Sequence, residues 1–390
     1  MIRSRPMHRI CLLIGLFFSS FGFCASICPD NQCIAVVDAG NSGSRVHIYS
    51  YKLNSSTHAP VEIKNVFSKK IDARLASIPL NQAAINQYLT QLFSETPDLS
   101  IPVYFYATSG MRMLNFSSQQ AYYAKVTHWF SMQSQWQLAD AKTLKGQEES
   151  LYGWLAVNYE LGRLTLPSAP LVSVVDTGSA SVQIAVPLTS AQDNKSDDYI
   201  EMNVYGRPIS LFTHGFLGLG QDEIRSHYLD NEDCFPIHYP LPNGSSAAGN
   251  FQRCENRIKP LINEIHQVDS KVKSVIQNNK EQTWYIIGGI SAMLQQRPFA
   301  FENNEFTTQV LAEKANQYVC QMDWSILGTL YPKNKDIFVN CLNTSYFYSL
   351  FVEGFYINST QPIHYISNKI STNDWTLGVV LHQKGAVLLK

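Results

Sequence analysis

The chain has 390 residues, which is enough for two lobes that each bury a core of their own. Hydrophobic residues make up 45% of the chain and charged residues 16%, as in an ordinary globular protein. The formal net charge of −1 provides no electrostatic attraction to nucleic acid or to an anionic membrane, so we expect neither as a partner.

Residues 1–24 have the order of residues that is typical of a secretory signal peptide. Arg3, Arg5 and Arg9 precede an apolar stretch, 10–23, that is short for a membrane span. An uncleaved signal anchor is the alternative. We expect cleavage to leave a secreted or periplasmic protein, monomeric and without a membrane segment.

The cysteines agree with an oxidising compartment. Six of the eight cysteines remain if the chain is cut near Cys24, and an even number suits disulfide formation. Connectivity is open from the sequence alone. Pairing nearest neighbours predicts Cys28–Cys33, Cys234–Cys254 and Cys320–Cys341.

Two short stretches, IAVVDAGNSGSR at 34–45 and LVSVVDTGSASVQ at 171–183, read almost alike. Each is an apolar strand that ends in Asp-x-Gly, and glycine permits a turn whose amides converge on an anion. Asp38 and Asp176 at the mouths of these turns suit a divalent cation held between carboxylate and phosphate. The paired carboxylates of an aspartic protease are the rival interpretation, because residues 176–179 read Asp-Thr-Gly-Ser.

Hydrophobic periodicity and turn residues predict the other elements along the chain. The predicted strands are 46–52, 102–107 and 283–287; the predicted helices are 81–93, 147–159 and 221–228; 161–170 is a linker, and 375–389 is a last apolar element.

The helix that begins near Gln147 contains adjacent Glu148 and Glu149. Neighbours on a helix lie about 100° apart, so only one of the two faces a given site. Gly153, one turn after Glu149, leaves room beside that carboxylate. Asn158 is out of phase with Glu149 and is expected to brace the helix.

Two further side chains have open roles. Arg112 follows the turn after the strand 102–107, where it would meet a phosphate or pair with a carboxylate. Tyr346 belongs to an aromatic cluster that is either core or a platform for stacking on a base.

Taken together, these stretches resemble the apyrase family, the ecto-nucleoside triphosphate diphosphohydrolases with their nucleoside-diphosphatase relatives, within the actin-like ATPase superfamily. Five motifs of that family occur in order: DAGNSGSR at Asp38, YATSGMR at Tyr106, GQEESLYGW at Gly146, DTGSASVQI at Asp176 and DWTLG at Asp374. The match spans nearly the whole mature chain. It decides against the aspartic protease, which has no use for the Glu149 helix.

The resemblance implies an α/β fold of two actin-like, ribonuclease H-like lobes with the active site in the cleft between them. We expect 28–160 plus 374–390 to form the first lobe and 161–373 the second.

The resemblance also implies roles for individual residues. Asp38 and Asp176 would bind Mg²⁺ or Ca²⁺, largely through water, and Glu149 would be the general base for a water oriented by Ser181 and Gln183. The predicted phosphate-binding residues are Asn41, Ser42, Gly43, Ser44 and Arg45 in the first turn, with Gly178, Ser179 and Ala180 in the second. The supporting residues are Arg112, Asn158 and Trp375, and Tyr346 is the candidate for base stacking.

The implied activity is removal of terminal phosphates from nucleoside tri- and diphosphates, ending at the monophosphate. A phosphotransferase on the same fold and an actin-like protein that binds nucleotide without hydrolysis are the alternatives. Ser179 and Val182 stand where the family usually has Gly and Thr, and Arg45 follows the diphosphatase-type members. Preferences for base, for tri- or diphosphate and for Mg²⁺ or Ca²⁺ stay open.

Overall fold

The computed structural model describes residues 27–29, 32–97, 99–189, 196–279, 281–366 and 374–389. The predicted signal peptide, 1–24, lies outside these ranges. Within them, none of the helices has the length and apolar character needed to span a membrane.

The first half of the chain builds a five-stranded sheet with flanking helices. Its elements are β1 (Cys33–Gly40), β2 (Gly43–Leu53), β3 (Pro60–Ile71), α1 (Gln82–Phe93), β4 (Ile101–Ala107), α2 (Ser109–Arg112), α3 (Phe116–Ser131), β5 (Trp136–Thr143) and α4 (Gly146–Glu160). The strand order is β3-β2-β1-β4-β5, with β1 antiparallel to β2 and parallel to β4. β1 is apolar from Cys33 to Val37 because it is the buried centre of this sheet. The side chains of Asn81 and Asn115 cap α1 and α3.

The second half builds a larger sheet of eight strands. Its elements are β6 (Ser173–Thr177), β7 (Ser181–Pro187), β8 (Tyr199–Val204), β9 (Arg207–Leu217), α5 (Gln221–His227), α6 (Phe251–Pro260), α7 (Val268–Asn278), β10 (Trp284–Gly288), α8 (Gly289–Gln295), β11 (Glu305–Phe306), α9 (Thr308–Ala315), α10 (Trp324–Leu330), α11 (Asn340–Tyr348), β12 (Ile363–Tyr365), α12 (Trp375–Gln383) and β13 (Val387–Leu389). The strand order is β11-β12-β10-β6-β7-β9-β8-β13.

The centres of the two sheets repeat one arrangement. In each, an antiparallel hairpin (β1–β2 or β6–β7) is joined on its first strand by a parallel strand, β4 or β10. The predicted class of two α/β lobes is therefore confirmed. The division at residues 160 and 374 stays a prediction, although β13 pairs with β8 of the larger sheet and not with the first sheet.

A central apolar cluster joins the lobes around α4 and α12. It combines buried residues of α4, such as Trp154 and Leu155, with Leu377 and Val380 of α12. The helices approach so closely at Gly378 that a Cβ there would lie 2.1 Å from the Tyr152 carbonyl oxygen. Helix α4 is buried on all sides from Glu149 to Asn158, which fixes the position of its first turn.

The three predicted disulfides are present: Cys28–Cys33, Cys234–Cys254 and Cys320–Cys341. The last two close loops within the second half of the chain.

Candidate active site

A cavity of about 480 Å³ lies between the two central hairpins, within the size range of small-molecule sites. Many of the predicted site residues line it: Asp38, Asn41, Ser42, Arg45, Glu149, Asp176, Gly178, Ser179, Ser181 and Trp375. Both hairpins, the start of α4 and the start of α12 thus meet at one place.

The two hairpins present their carboxylates in the same way. Asp38 stands opposite Arg45 in the β1–β2 ladder, and Asp176 stands opposite Gln183 in the β6–β7 ladder. The second turn is closed by a hydrogen bond from the Gly178 amide to the Ser181 carbonyl, 3.0 Å long. This bond uses the Gly178 amide, one of the donors predicted to hold phosphate.

Three predicted phosphate-binding residues shape the turns without lining the cavity. The Ser44 hydroxyl points into the first lobe, where it accepts from the Tyr88 hydroxyl at 2.7 Å and donates to the Ala73 carbonyl at 2.9 Å. Gly43 has φ of +125°, and a Cβ there would lie 2.6 Å from the Ile71 carbonyl oxygen. Ala180 is fully buried in the second turn.

The first turn of α4 separates the roles of its two glutamates. Glu148 accepts a hydrogen bond from the Lys145 amide at 2.8 Å and pairs with Lys142 at 2.6 Å, so it secures the start of the helix. Glu149 is 7% exposed and faces the cavity. The expectation that only one of them faces the site is confirmed. A Cβ on Gly153 would lie 3.9 Å from Asp176 Oδ2, so glycine leaves space between helix and carboxylate.

Glu149 belongs to a buried polar network with Arg112, Ser181 and Gln183. Arg112 donates to Glu149 Oε2 at 2.7 Å, to the Leu144 carbonyl at 3.0 Å and to Ser181 Oγ at 2.9 Å. Gln183 Nε2 donates to Ser181 Oγ at 2.5 Å and to Glu149 Oε2 at 3.3 Å. The sequence left open whether Arg112 meets a phosphate or a carboxylate, and in the structure it pairs with the carboxylate of Glu149. Arg112 and Gln183 lie behind the cavity lining.

Asp38 is 6% exposed and lies 3.2 Å from Arg45. Burial, and then the negative charge of Asp374, raise the pKa of Asp38 to about 7, although Arg45 opposes the shift. Burial and the charges of Glu149, Asp374 and Asp38 likewise raise the pKa of Asp176 well above its ordinary value. The cavity thus gathers carboxylates that repel one another.

These residues fit a divalent cation. Asp38 Oδ1 is buried and has no hydrogen-bond partner among the described residues, and the clustered carboxylates would be neutralised by positive charge. Oxygen donors suit Mg²⁺ or Ca²⁺. No group of three or more His, Cys, Asp or Glu side chains in the described ranges is arranged to hold a metal directly.

Several polar side chains in the lining were missed as site residues from the sequence, among them His47 and Asp374. Asp374 immediately precedes α12 and opens the DWTLG motif, and His47 lies on β2 two residues beyond Arg45, on the same face of the strand. Burial acts to raise the pKa of Asp374, but the nearby His47 and hydrogen bonds from Thr376 hold it well below the ordinary value. Alternation along β2 was the available signal for His47.

The prediction that Tyr346 stacks on a base is wrong. Its side chain is fully buried in the core of the second lobe, and its hydroxyl donates to the Leu219 carbonyl. Tyr346 lies on the face of α11 that packs into the core, where burial of its ring is favoured by the hydrophobic effect. The apolar lining of the cavity includes Ile287, Ile366 and Trp375 instead.

Asn158 braces α4 as predicted. Its side chain is fully buried, accepts from the Val172 amide at 3.0 Å and donates to the Trp154 carbonyl at 3.1 Å. It thereby ties α4 to the residue that leads into β6, the strand that carries Asp176.

Comparison with known proteins adds three findings. The model of the GDA1/CD39 (nucleoside phosphatase) family matches residues 26–233 and 242–390. Ectonucleoside triphosphate diphosphohydrolase 1 of Mus musculus is 23% identical over 418 residues, which cover 91% of this chain and 81% of that protein. A nucleoside-diphosphatase of Caenorhabditis elegans is 23% identical over 430 residues, which cover 89% of this chain and 76% of that protein.

Among solved structures, nucleoside triphosphate hydrolase from Neospora caninum superposes with a TM-score of 0.63 and 14% identity, covering 90% of this chain and 92% of that chain. A similarity at this level of identity concerns the fold. Together with the repeated sheet arrangement, it confirms the predicted actin-like fold class.

Proposed function

The chain belongs to the GDA1/CD39 (nucleoside phosphatase) family, and from this premise we propose that it is an exported, divalent-cation-dependent hydrolase that removes terminal phosphate from nucleoside tri- and diphosphates. Relatives named as triphosphate diphosphohydrolases and as nucleoside-diphosphatases, each matched over most of its length, support both substrate classes. The product would be a nucleoside monophosphate.

One observation carries the proposal. Two equivalent hairpins bring Asp38 and Asp176 to the same cavity as Glu149, the only one of the paired glutamates of α4 that faces it. In the proposed mechanism the two aspartates would hold a cation, the turns would offer backbone amides to phosphate, and Glu149 would serve as the general base.

The phosphates would lie against the turns at 40–43 and 178–181. Asn41 and Ser42 line the cavity at the first turn, and Arg45 adds a positive charge beside it. In the second turn, the amide of Ser179 has no acceptor among the described residues and would donate to a phosphate oxygen. A bound cation would neutralise negative charge on the phosphate oxygens.

Glu149 would accept a proton from the water that attacks the terminal phosphorus, while the bond to the bridging oxygen breaks. Its Oε2 is occupied by Arg112 and Gln183, which leaves Oε1 for the water. Ser181 Oγ accepts hydrogen bonds from Arg112 and Gln183, so its own hydrogen would be available to an acceptor bound in the cavity. Ser181 would therefore orient the water or a phosphate oxygen, with Gln183 holding Ser181 in place.

Export is part of the proposal. The three disulfides and the basic and apolar order of residues 1–24 support an oxidising compartment outside the cytoplasm.

The test is release of inorganic phosphate by the purified mature chain. We would offer nucleoside tri-, di- and monophosphates with Mg²⁺ or Ca²⁺, and then with chelator. We expect cation-dependent release from the first two substrates and none from the monophosphate. Release that continues unchanged in chelator would refute the cation requirement.

Glu149→Gln separates hydrolysis from nucleotide binding. Loss of a general base typically costs 10²–10⁴-fold in rate, so turnover is expected to fall by about that factor while nucleotide affinity stays within a few fold. Turnover close to that of the wild type would refute the assigned base. If the wild-type chain also binds nucleotide without releasing phosphate, it is a non-hydrolytic member of the fold.

A further inference from the structure

Asp374 lies at the edge of the cavity, where it caps α12 with one carboxylate oxygen. Its Oδ1 accepts from the Thr376 amide at 2.9 Å and from Thr376 Oγ1 at 2.6 Å. Thr376 Oγ1 in turn shares a hydrogen bond with the Tyr49 hydroxyl at 2.7 Å, so the cap is tied to β2. The other oxygen, Oδ2, is not needed for the cap.

His47 faces Oδ2 from the first sheet. Its Nε2 is 3.6 Å from Asp374 Oδ2, slightly longer than a hydrogen bond, and the ring is 4% exposed. Its Nδ1 lies 2.8 Å from Ser68 Oγ and 3.1 Å from Asn65 Nδ2, and these contacts fix the orientation of the ring. Nε2 is therefore the ring nitrogen that faces the carboxylate.

Buried atoms without partners point to a ligand beside this pair. Asp38 Oδ1 and His47 Nε2 have no hydrogen-bond partner in the described part of the chain, and both residues are more than nine-tenths buried. Both line the same cavity as Asp374, whose carboxylate is a third exposed. A polar ligand in the cavity would satisfy atoms that the protein leaves unpaired.

We propose that Asp374 is a third acidic residue of the cation site, holding the hydrated cation through Oδ2, and that His47 is the positioning residue that orients this carboxylate. The inference rests on the proposed function, which places the cation between Asp38 and Asp176. It adds the start of α12 to the site, so that three separate segments of the chain surround the cation.

The probe is Mn²⁺, counted by the electron paramagnetic resonance signal of the free ion, with and without a non-hydrolysable methylene analogue of ADP. This readout needs no turnover. Asp374→Asn keeps a residue that caps helices well and removes only the charge. Loss of an outer-shell partner typically costs 10–100-fold in metal affinity, and we expect the Kd for Mn²⁺ to rise by roughly tenfold or more.

The chain offers a matched control outside the cavity. Asp323 caps α10 through the Ser325 amide and hydroxyl and lies 2.7 Å from His238, which reproduces the chemistry of the Asp374 cap. Asp323→Asn is expected to leave the Kd for Mn²⁺ within about twofold of the wild-type value, a change of about 0.4 kcal/mol by the affinity relation.

His47 is tested by two variants. Phe has a similar shape but no donor, whereas Gln retains an N–H. We expect His47→Phe to weaken Mn²⁺ binding and His47→Gln to recover most of the affinity; equal losses in both variants would refute the positioning role.

Wild-type Mn²⁺ affinity in Asp374→Asn would overturn the inference while leaving the proposed function intact. Conversely, undiminished affinity in both Asp38→Asn and Asp176→Asn would remove the cation site itself. Glu149→Gln, which should still bind Mn²⁺ but release phosphate about 10²–10⁴-fold more slowly, distinguishes failure of the catalytic proposal from failure of this one.

Discussion

At the scale of single residues, Arg112 contacts three acceptors at once without lining the cavity. A lysine presents one compact charge and does not reproduce that planar fork. In Arg112→Lys, Glu149 and Ser181 would lose their shared donor and shift. Small misplacement of catalytic groups costs up to about 10²-fold, so kcat is expected to fall roughly 10–100-fold with KM little changed.

Steady-state kinetics test this prediction by comparing kcat and KM of Arg112→Lys with those of Arg45→Lys. Arg45 lines the cavity, so its replacement should raise KM more than it lowers kcat. A purely raised KM in Arg112→Lys would contradict the assignment.

The raised pKa of Asp38 predicts that the free energy of unfolding depends on pH when a chelator has removed divalent cations. Its folded-state pKa of about 7 lies above the ordinary value of 3.8, because of burial and Asp374. This group therefore contributes stability that is fully present below pH 3.8 and is lost as the pH rises through 7, at about 1.4 kcal/mol per pH unit. The pKa of Asp176 is also raised, so its contribution to stability likewise falls as the pH rises. Asp374, with its lowered pKa, has the opposite sign, but it acts only below about pH 4.

Thermal melts in chelator between pH 5 and 8 measure this effect. The Tm should fall across this range, and added Mg²⁺ should raise it more at pH 8 than at pH 5. Asp38→Asn should flatten the slope, and an unchanged slope in that variant would exclude Asp38 as its source.

Residues whose place in the cavity follows from local sequence were the ones that could be predicted. Asp38 and Asp176 come at the ends of apolar strands, and Glu149 stands in the first turn of a helix. Alternation along β2 could have indicated the face on which His47 lies, but its contact with Asp374, far along the chain, is reported by no local pattern. Tyr346 failed for the same reason, since helical spacing does not tell which side of α11 is core.

At the scale of elements, Gly378 sets the distance between α12 and α4. A Cβ there would lie 2.1 Å from the Tyr152 carbonyl, so Gly378→Ala must push α12 away from the helix that carries Glu149. Overpacking costs about 1–3 kcal/mol, and we expect the free energy of unfolding to fall by that amount, together with kcat.

Gly328→Ala on α10 is the control, since no atom lies within 4 Å of its added Cβ. Its expected effect is a gain of less than about 1 kcal/mol. Denaturant unfolding of both variants gives the comparison, and equal effects would show that close packing at Gly378 is unimportant.

The boundaries of strongly patterned elements could be predicted, whereas their order in the sheets could not. The helix predicted at 81–93 is α1 (Gln82–Phe93), and the strand predicted at 102–107 is β4 (Ile101–Ala107). The pairing of β13 with β8 depends on where α12 delivers the end of the chain. That placement is a result of tertiary packing, which hydrophobic periodicity does not encode.

At the scale of the whole molecule, the cleft is built by two halves that each contribute one hairpin. Neither half holds a complete site, because Asp38 belongs to the first sheet and Asp176 to the second. A cation and the phosphates of a nucleotide would bridge the two hairpins, so each ligand should favour the arrangement that the other needs.

This coupling predicts synergy in thermal stability. With Glu149→Gln, which should consume the substrate about 10²–10⁴-fold more slowly than the wild type, Mg²⁺ alone and nucleoside diphosphate alone should each raise the Tm only slightly. Both together should raise it by more than the sum, since stabilisation grows with ligand concentration over Kd and each ligand lowers the Kd of the other. Strictly additive shifts would mean that the two hairpins bind their ligands independently. Asp176→Asn should abolish the excess while leaving the first hairpin intact, because the cation would then lose its contact with the second lobe.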